Sequence, residues 1–300
     1  MEKKVIVKVP ATTANLGPGF DVLGMALNLY NTVVLEEIES GRCIIDVKGE
    51  GDDKLPRDGG NLVARAASYL LQRAGYRNYR FKLSLENKIP LMSGLGSSAA
   101  AIVGGLVAAD ALCKSNFSSR DILQMAVEIE GHPDNVAAAL LGGVVIVTKD
   151  EESCVYSRLI PKDGLRITAV VPELTVSTID ARSVLPEYVP LQDAVYNLGR
   201  LSLLLTALRE GDWDLLKPAL HDRLHQPYRC RLVPGLDEVL ATALGNGAYG
   251  AFLSGSGPTV IAFSSPDCDV GEAIAEVFRS RKITARVLQL EPCLTGTRIL

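Results

Sequence analysis

The sequence predicts an α+β fold. Three observations carry that prediction. Strand-like and helix-like runs cluster instead of alternating strictly as β–α–β units. A glycine- and serine-rich loop opens directly into a long apolar helix, and the whole pattern restarts after a polar stretch at 149–153. The length of 300 residues is enough for one or two domains with a buried core. A hydrophobic share of 47% and a charged share of 22% are ordinary for a globular protein.

Residues 5–9 and 32–38 read as strands because they are rich in β-branched side chains, and 43–47 adds another. Asn61 caps a helix to Ala74, with Leu62, Ala66, Tyr69, Leu70 and Arg73 near helical spacing. Residues 80–85 alternate and put Phe81, Leu83 and Leu85 on one face. Helical stretches follow at 97–113, 118–130 and 135–140, then a buried strand at 143–147. Beyond the polar stretch come a strand at 166–171 and a helix at 192–209. The apolar face of that helix carries Val195, Leu198, Leu201, Leu204, Leu205 and Leu208. Pro234 opens a helix to Leu244, a position that suits proline. Residues 251–253, 260–263 and 286–290 read as strands, with a helix at 270–279 before the last. There is no internal repeat and no low-complexity tract.

Composition excludes several classes. A net charge of −4 leaves no broad basic surface for nucleic acid. The start, Met1-Glu-Lys-Lys-Val-Ile-Val-Lys-Val, reads as a strand with alternating lysines and lacks the apolar core of a signal peptide. The longest apolar run, 99–109, is too short to span a bilayer. Neither nucleic acid nor membrane is an expected partner. The cysteines Cys43, Cys113, Cys154, Cys230, Cys268 and Cys293 stand singly, without a Cys-x-x-Cys pair. With no export signal they read as reduced thiols of a cytoplasmic protein.

The most informative stretch is Pro90-Leu-Met-Ser-Gly-Leu-Gly-Ser-Ser-Ala-Ala-Ala101. Such a loop aims unpaired backbone N–H groups at one point, and the helix N-terminus adds partial positive charge there. Gly94 and Gly96 keep side chains out of the way, and Ser97 and Ser98 offer hydroxyls to phosphate or to magnesium. The pattern points to a polyphosphate ligand, first of all ATP. It is not the common P-loop, because no Gly-Lys-Ser or Gly-Lys-Thr occurs in the chain. Gly94, Gly96 and Ala99 do fit the dinucleotide pattern Gly-x-Gly-x-x-Ala. That loop follows the first strand of its domain with an acid about 20 positions later, and Asp110 and Asp121 both miss the spacing. A small-residue turn for close helix packing is the bland alternative.

Four further groups stand out. Pro10-Ala-Thr-Thr-Ala-Asn-Leu-Gly-Pro-Gly-Phe-Asp21 is either a turn stabilised by its own Asn and Asp, or a substrate loop offering Asn15 and Asp21. Glu128-Ile-Glu-Gly-His-Pro-Asp-Asn135 gathers acids, an imidazole and an amide at a helix end, where a Glu can complete a magnesium site. Arg182 and Arg229 could each hold a carboxylate, though a lone arginine is more often a surface residue. His221 and His225 have the i, i+4 spacing of metal ligands but no third ligand, and are assigned to a helix face. Phe252-Leu-Ser-Gly-Ser-Gly-Pro-Thr259 is either a tight hairpin or a loop beside the phosphate site.

In this order the segments resemble the GHMP kinase superfamily. The matching motifs are the Pro10–Asp21 stretch, Gly94-Leu-Gly-Ser-Ser-Ala-Ala100 and Ser254-Gly-Ser-Gly-Pro-Thr259. Asn15-Leu-Gly-Pro-Gly-Phe-Asp21, Glu130-Gly-His-Pro-Asp-Asn135 and His225-Gln-Pro-Tyr-Arg229 resemble the homoserine kinase branch. The resemblance implies a domain like ribosomal protein S5 domain 2 over 1–155 and a ferredoxin-like domain over 156–300. It implies ATP-dependent phosphorylation of the side-chain hydroxyl of L-homoserine, in threonine biosynthesis. Threonine, shikimate or mevalonate would be the substrate of a different branch, and a ligand sensor without turnover is the non-enzymatic alternative.

The resemblance also implies roles. Pro90, Leu91, Met92, Ser93, Gly94, Leu95, Gly96, Ser97 and Ser98 would cradle the phosphates, and Asn61 would touch adenine. Ser98 and Glu130 would hold Mg²⁺, with Glu128 the runner-up. Asn15, Asp21, His132, Asn135, Arg182 and Arg229 would surround homoserine, Asp21 facing the ammonium and the two arginines the carboxylate. Catalysis would fall to Ser98, Glu130 and Asn135, with Asn135 orienting the hydroxyl. Lys8 is a loose match to the lysine of mevalonate kinases. Dimers are frequent in the superfamily, so a homodimer is allowed.

Overall fold

The computed structural model describes residues 4–38, 44–76, 80–150 and 153–300. Met1, Glu2, Lys3, Cys43, Glu151 and Glu152, which fall in the expected first and third strands and in the polar stretch, lie outside the described residues.

The first layer is a seven-stranded sheet. Two long strands, β1 (Lys4–Asn15) and β2 (Gly19–Glu37), pair antiparallel along their length and join through a tight turn at Leu16–Pro18. Both exceed the expected strands, because Thr12, Thr13 and Asn15 continue β1 as buried polar residues. β3 (Ile44–Gly49) follows, then α1 (Leu62–Arg73) and β4 (Phe81–Asn87), which pairs with β2 on one side and runs parallel to β3 on the other. Phe81, Leu83 and Leu85 share the buried face, as their alternation requires.

Helices α2 (Ser97–Cys113), α3 (Ser119–Glu130) and α4 (Asp134–Leu141) cover this sheet. α2 is apolar nearly all round because it is enclosed between the sheet and the other helices. α3 begins with a full capping box between Ser118 and Asp121. The sheet is extended by β5 (Val144–Lys149), paired to β2, and by β6 (Cys154–Leu159), paired to β5.

A second sheet begins with β7 (Arg166–Pro172). Helices α5 (Thr178–Ser183), α6 (Leu191–Glu210), α7 (Leu216–Ala219), α8 (Gln226–Arg229) and α9 (Leu236–Gly245) then lead to β8 (Gly250–Leu253). β9 (Val260–Ser264), α10 (Gly271–Ser280) and β10 (Ala285–Leu290) complete it. The order β10-β7-β9-β8 is antiparallel throughout and puts the unit's fourth strand beside its first, and its third beside its second. That is the ferredoxin-like arrangement.

Two expectations are corrected. A division at 155/156 falls inside β6, which still belongs to the first sheet, so the sheets change over between Leu159 and Arg166. The chain end also returns to the first sheet, where β11 (Arg298–Ile299) pairs with β1. On α6 only part of the expected apolar face is buried. Leu204 and Leu208 are enclosed, while Val195 and Leu198 are exposed.

Candidate active site

A cleft of about 1140 Å³ runs between the two sheets. Its floor is the N-terminus of α2. The cap position, Gly96, has a left-handed φ of 68°, and no side chain caps the helix. The first N–H groups of an α-helix have no intrahelical acceptor, so this end presents donors and partial positive charge to the cleft. The two loop glycines make room for protein as much as for ligand. A Cβ on Gly96 would lie 1.9 Å from Thr12 Oγ1, and one on Gly94 2.3 Å from the Ser254 carbonyl. Ser254 Oγ in turn lies 2.7 Å from Gly94 O and 2.8 Å from Thr13 Oγ1. The second glycine loop therefore buttresses the first. The Leu95 side chain is buried in the core, and its carbonyl accepts from Thr12 N at 3.1 Å.

Ser98, on the first turn of α2, donates to Glu130 Oε2 at 2.6 Å across the end of α3. Hydroxyl and carboxylate oxygens suit a hard cation such as Mg²⁺, which takes few protein ligands and completes its shell with phosphate and water. Among the described residues, no three His, Cys, Asp or Glu are grouped to hold a metal. Glu128 points elsewhere, tied to Tyr69, Arg73 and Gln124. Of the two candidate glutamates at the end of α3, Glu130 is the one that lines the cleft.

The turn between α3 and α4 brings in His132, Asp134 and Asn135. His132 Nδ1 sits 2.9 Å from Asp134 Oδ1, and its Nε2 3.9 Å from Glu130 Oε1. Burial opposes a charge on His132, but the hydrogen bond and charge of Asp134, with the charge of Glu130, outweigh it and raise its proton affinity. Asp134 Oδ1 also accepts from the Asn135 backbone N–H at 2.7 Å. Asn135 Oδ1 accepts from Thr12 Oγ1 at 2.7 Å, which fixes the amide.

The far end of the cleft, shared with a second recess of about 700 Å³, is built around Asp21. Arg182 on α5 grips both its oxygens, at 2.8 and 2.9 Å. Asn15 Oδ1 accepts from the Asp21 backbone at 3.1 Å and Asn15 Nδ2 donates to Gly255 O at 3.0 Å. Arg229 on α8 is buried and donates to Ala181 O at 3.1 Å and Gly255 O at 2.8 Å. Burial, then the nearby Arg182, pull its pKa down to about 10.

Two expectations are corrected here. His221 and His225 share no helix face. Both precede α8, and His225 is fully buried while His221 faces Tyr196. Lys8 stacks on Tyr30, 4.2 Å from its ring centroid, and does not line the cleft. Asn61 borders the cleft, but its side chain caps α1 through Val63 N and holds Pro56 O.

Residues 61–143 match the family model for the GHMP kinases N terminal domain, and 204–282 that for GHMP kinases C terminal. The chain is 45% identical over 296 residues to a homoserine kinase of Moorella thermoacetica, spanning 98% of this chain and 99% of that one. It is 45% identical over 298 residues to a homoserine kinase of Desulfitobacterium hafniense, spanning 99% and 100%. The crystal structure of homoserine kinase from Cytophaga hutchinsonii superposes with a TM-score of 0.89 at 32% identity, spanning 100% of this chain and 98% of that one. The chain belongs to the homoserine kinases of the GHMP family. A mevalonate kinase structure, at 16% identity and a TM-score of 0.70, shares the fold alone.

The two-domain α+β GHMP fold expected from the motifs is the fold observed, and a GHMP kinase uses ATP. The geometry of this GHMP kinase also involves residues the sequence did not single out. Thr12 orients Asn135, and Thr13 holds Ser254. Asn31 Oδ1 accepts from Lys88 N and Ile89 N at 2.8 and 3.0 Å and so fixes the start of the phosphate loop. The one signal for Asn31 was an amide amid the apolar residues of β2, where Asn28 is another.

Proposed function

We propose that the protein transfers the γ-phosphoryl group of ATP to the side-chain hydroxyl of L-homoserine, giving O-phospho-L-homoserine and ADP. One observation carries the reading. A single cleft joins an uncapped helix N-terminus bearing the Ser98–Glu130 pair to an amino-acid-sized end bearing Asp21, Arg182 and Arg229. The loop from Ser93 to Ser98 would hold the triphosphate, and Leu55, Leu62 and Met92, which line the cleft with Asn61, would take the base. Ser98 and Glu130 are the side chains that would hold magnesium, which would offset the charge of the phosphates.

The zwitterion of the substrate fits the far end because it replaces the Asp21–Arg182 contact with matched charges, ammonium to Asp21 and carboxylate to Arg182 and Arg229. Asn15 and His132 complete the enclosure. Phosphoryl transfer needs mostly positioning and charge stabilisation. Asn135 cannot take a proton, and Asp134 is held by His132 and by the Asn135 backbone. The hydroxyl oxygen therefore attacks phosphorus directly, oriented by Asn135, as the bond to ADP breaks. Its proton passes to the transferred phosphoryl group.

The test is a coupled ADP-release assay with homoserine, threonine, shikimate and mevalonate at equal concentrations. Turnover with homoserine should exceed that with shikimate and mevalonate, which lack an ammonium, by at least about a hundredfold, since a site built on paired charges rejects ligands that leave one unpaired. No turnover with homoserine and Mg-ATP would falsify the reading.

A further inference from the structure

His225 does not itself line the cleft, and it is the one fully buried imidazole among the described residues. Its partners define its state. Nε2 lies 2.7 Å from the Gly17 carbonyl, which can only accept a hydrogen bond. Nδ1 lies 3.2 Å from Arg229 NH1, which can only donate. The proton must sit on Nε2, leaving Nδ1 bare, so the ring is neutral. The ring stacks on Phe20 at 5.3 Å between centroids, and the Arg229 and Arg182 guanidiniums lie over the same phenyl at 5.3 and 5.7 Å.

Gly17 belongs to the turn that carries Asn15 and Asp21, and Arg229 belongs to α8. The imidazole is the bridge between them. Asp222 braces it from below, accepting from Asn197 Nδ2 and from the backbone N–H of Leu224, His225 and Gln226. We propose that His225 is a positioning residue whose neutral imidazole sets the spacing between the ammonium-binding and carboxylate-binding halves of the amino-acid site. The inference rests on the reading of Asp21 and Arg229 given above.

A second proton would have to sit on Nδ1, facing the N–H of Arg229, and one of the two cations would have to leave. The charged groups around the ring are Asp222, 3.5 Å from Nε2, Arg229 on α8 and Asp21 on β2, with Arg182 on α5 and Asp134 on α4 acting on Arg229. Burial disfavours the cation first. Asp222, Gly17 and Asp21 favour it and Arg229 opposes it, and the net effect lowers the pKa. Acid should therefore weaken homoserine binding and leave ATP binding alone.

Two measurements test this. In the unmodified protein, nitrogen NMR of the imidazoles should show His225 neutral and protonated on Nε2 across about pH 6–9. A cationic ring at neutral pH, or a proton on Nδ1, would overturn the proposal whether or not any variant folds. Kinetics of His225→Asn and His225→Ala form the second arm. Both should raise the homoserine KM, the Ala variant by at least about tenfold, the worth of one hydrogen bond to a charged group. Asn, which keeps an acceptor for Arg229, should lose less. The ATP KM should stay within about twofold, and the acid fall in kcat/KM for homoserine should shrink in His225→Asn. Parallel loss for both substrates, or an unchanged homoserine KM, overturns the proposal. Failure of the unmodified protein to phosphorylate homoserine would instead sink the substrate reading, and the tautomer would still be read on its own.

Discussion

His132 lines the cleft and His225 is buried behind it, and their pKa values move in opposite directions. His132 gains a partner in Asp134, and its pKa rises above the ordinary 6.5. A raised folded-state pKa means the folded chain binds the proton more tightly than the unfolded one. The stability from His132 is therefore fully present below pH 6.5 and is lost as pH rises through its folded value. His132→Gln should cost most in urea unfolding at about pH 5.5, and the gap to the unmodified protein should close by about pH 8.5. A gap that widens with pH would contradict the pairing with Asp134. The sequence exposed His132, Asp134 and Asn135 because they lie within one short segment. It hid Thr12, Asp222 and the role of His225, because their partners at Asn135, Asn197 and Gly17 lie far away along the chain. Distance in sequence, not chemistry, decided which side chains could be recognised.

At the scale of elements, the start of α2 couples loop conformation to packing. Gly96 has a φ of 68°, and the space its Cβ would fill already holds the Thr12 hydroxyl. Gly75, past the end of α1, has a φ of 89° but open space around it. Gly75→Ala should therefore cost only backbone strain, about 1–2 kcal/mol, while Gly96→Ala should cost distinctly more. Gly96→Ala should also raise the ATP KM, because it disturbs the loop that would hold the phosphates, and lower kcat, because Thr12 must move and Thr12 fixes Asn135. Urea unfolding and steady-state kinetics on the pair check this, and equal costs would show that the close approach to Thr12 carries no energy. Helices were legible from period and caps: Asn61 caps α1 and Ser118 opens α3. The long β1–β2 pair was not, because the buried Thr12, Thr13 and Asn15 break the apolar alternation that marks a strand. β6 and β11 were missed because they lie at sheet edges, where several side chains face solvent.

At the scale of the whole molecule, the cleft draws side chains from both sheets' halves: Asp21, Ser98, Glu130 and Asn135 from the first, Arg182 and Arg229 from the second. A ligand that touches both sets binds only the assembled chain and must stabilise it as a unit. Homoserine at about one hundred times its Kd should add about 2.7 kcal/mol, which for a chain of this size is a rise of about 4 °C in Tm. Asp21→Asn removes the carboxylate that faces the ammonium and leaves Arg182 without its ion pair. The pair is partly exposed, so the variant itself should lose less than about 1 kcal/mol. Its homoserine shift should vanish at the concentration that saturates the unmodified protein, while the shift given by Mg-ATP remains. Loss of both shifts would mean that Asp21 maintains the cleft as a whole instead of reading the substrate. Persistence of the homoserine shift would place the ammonium elsewhere.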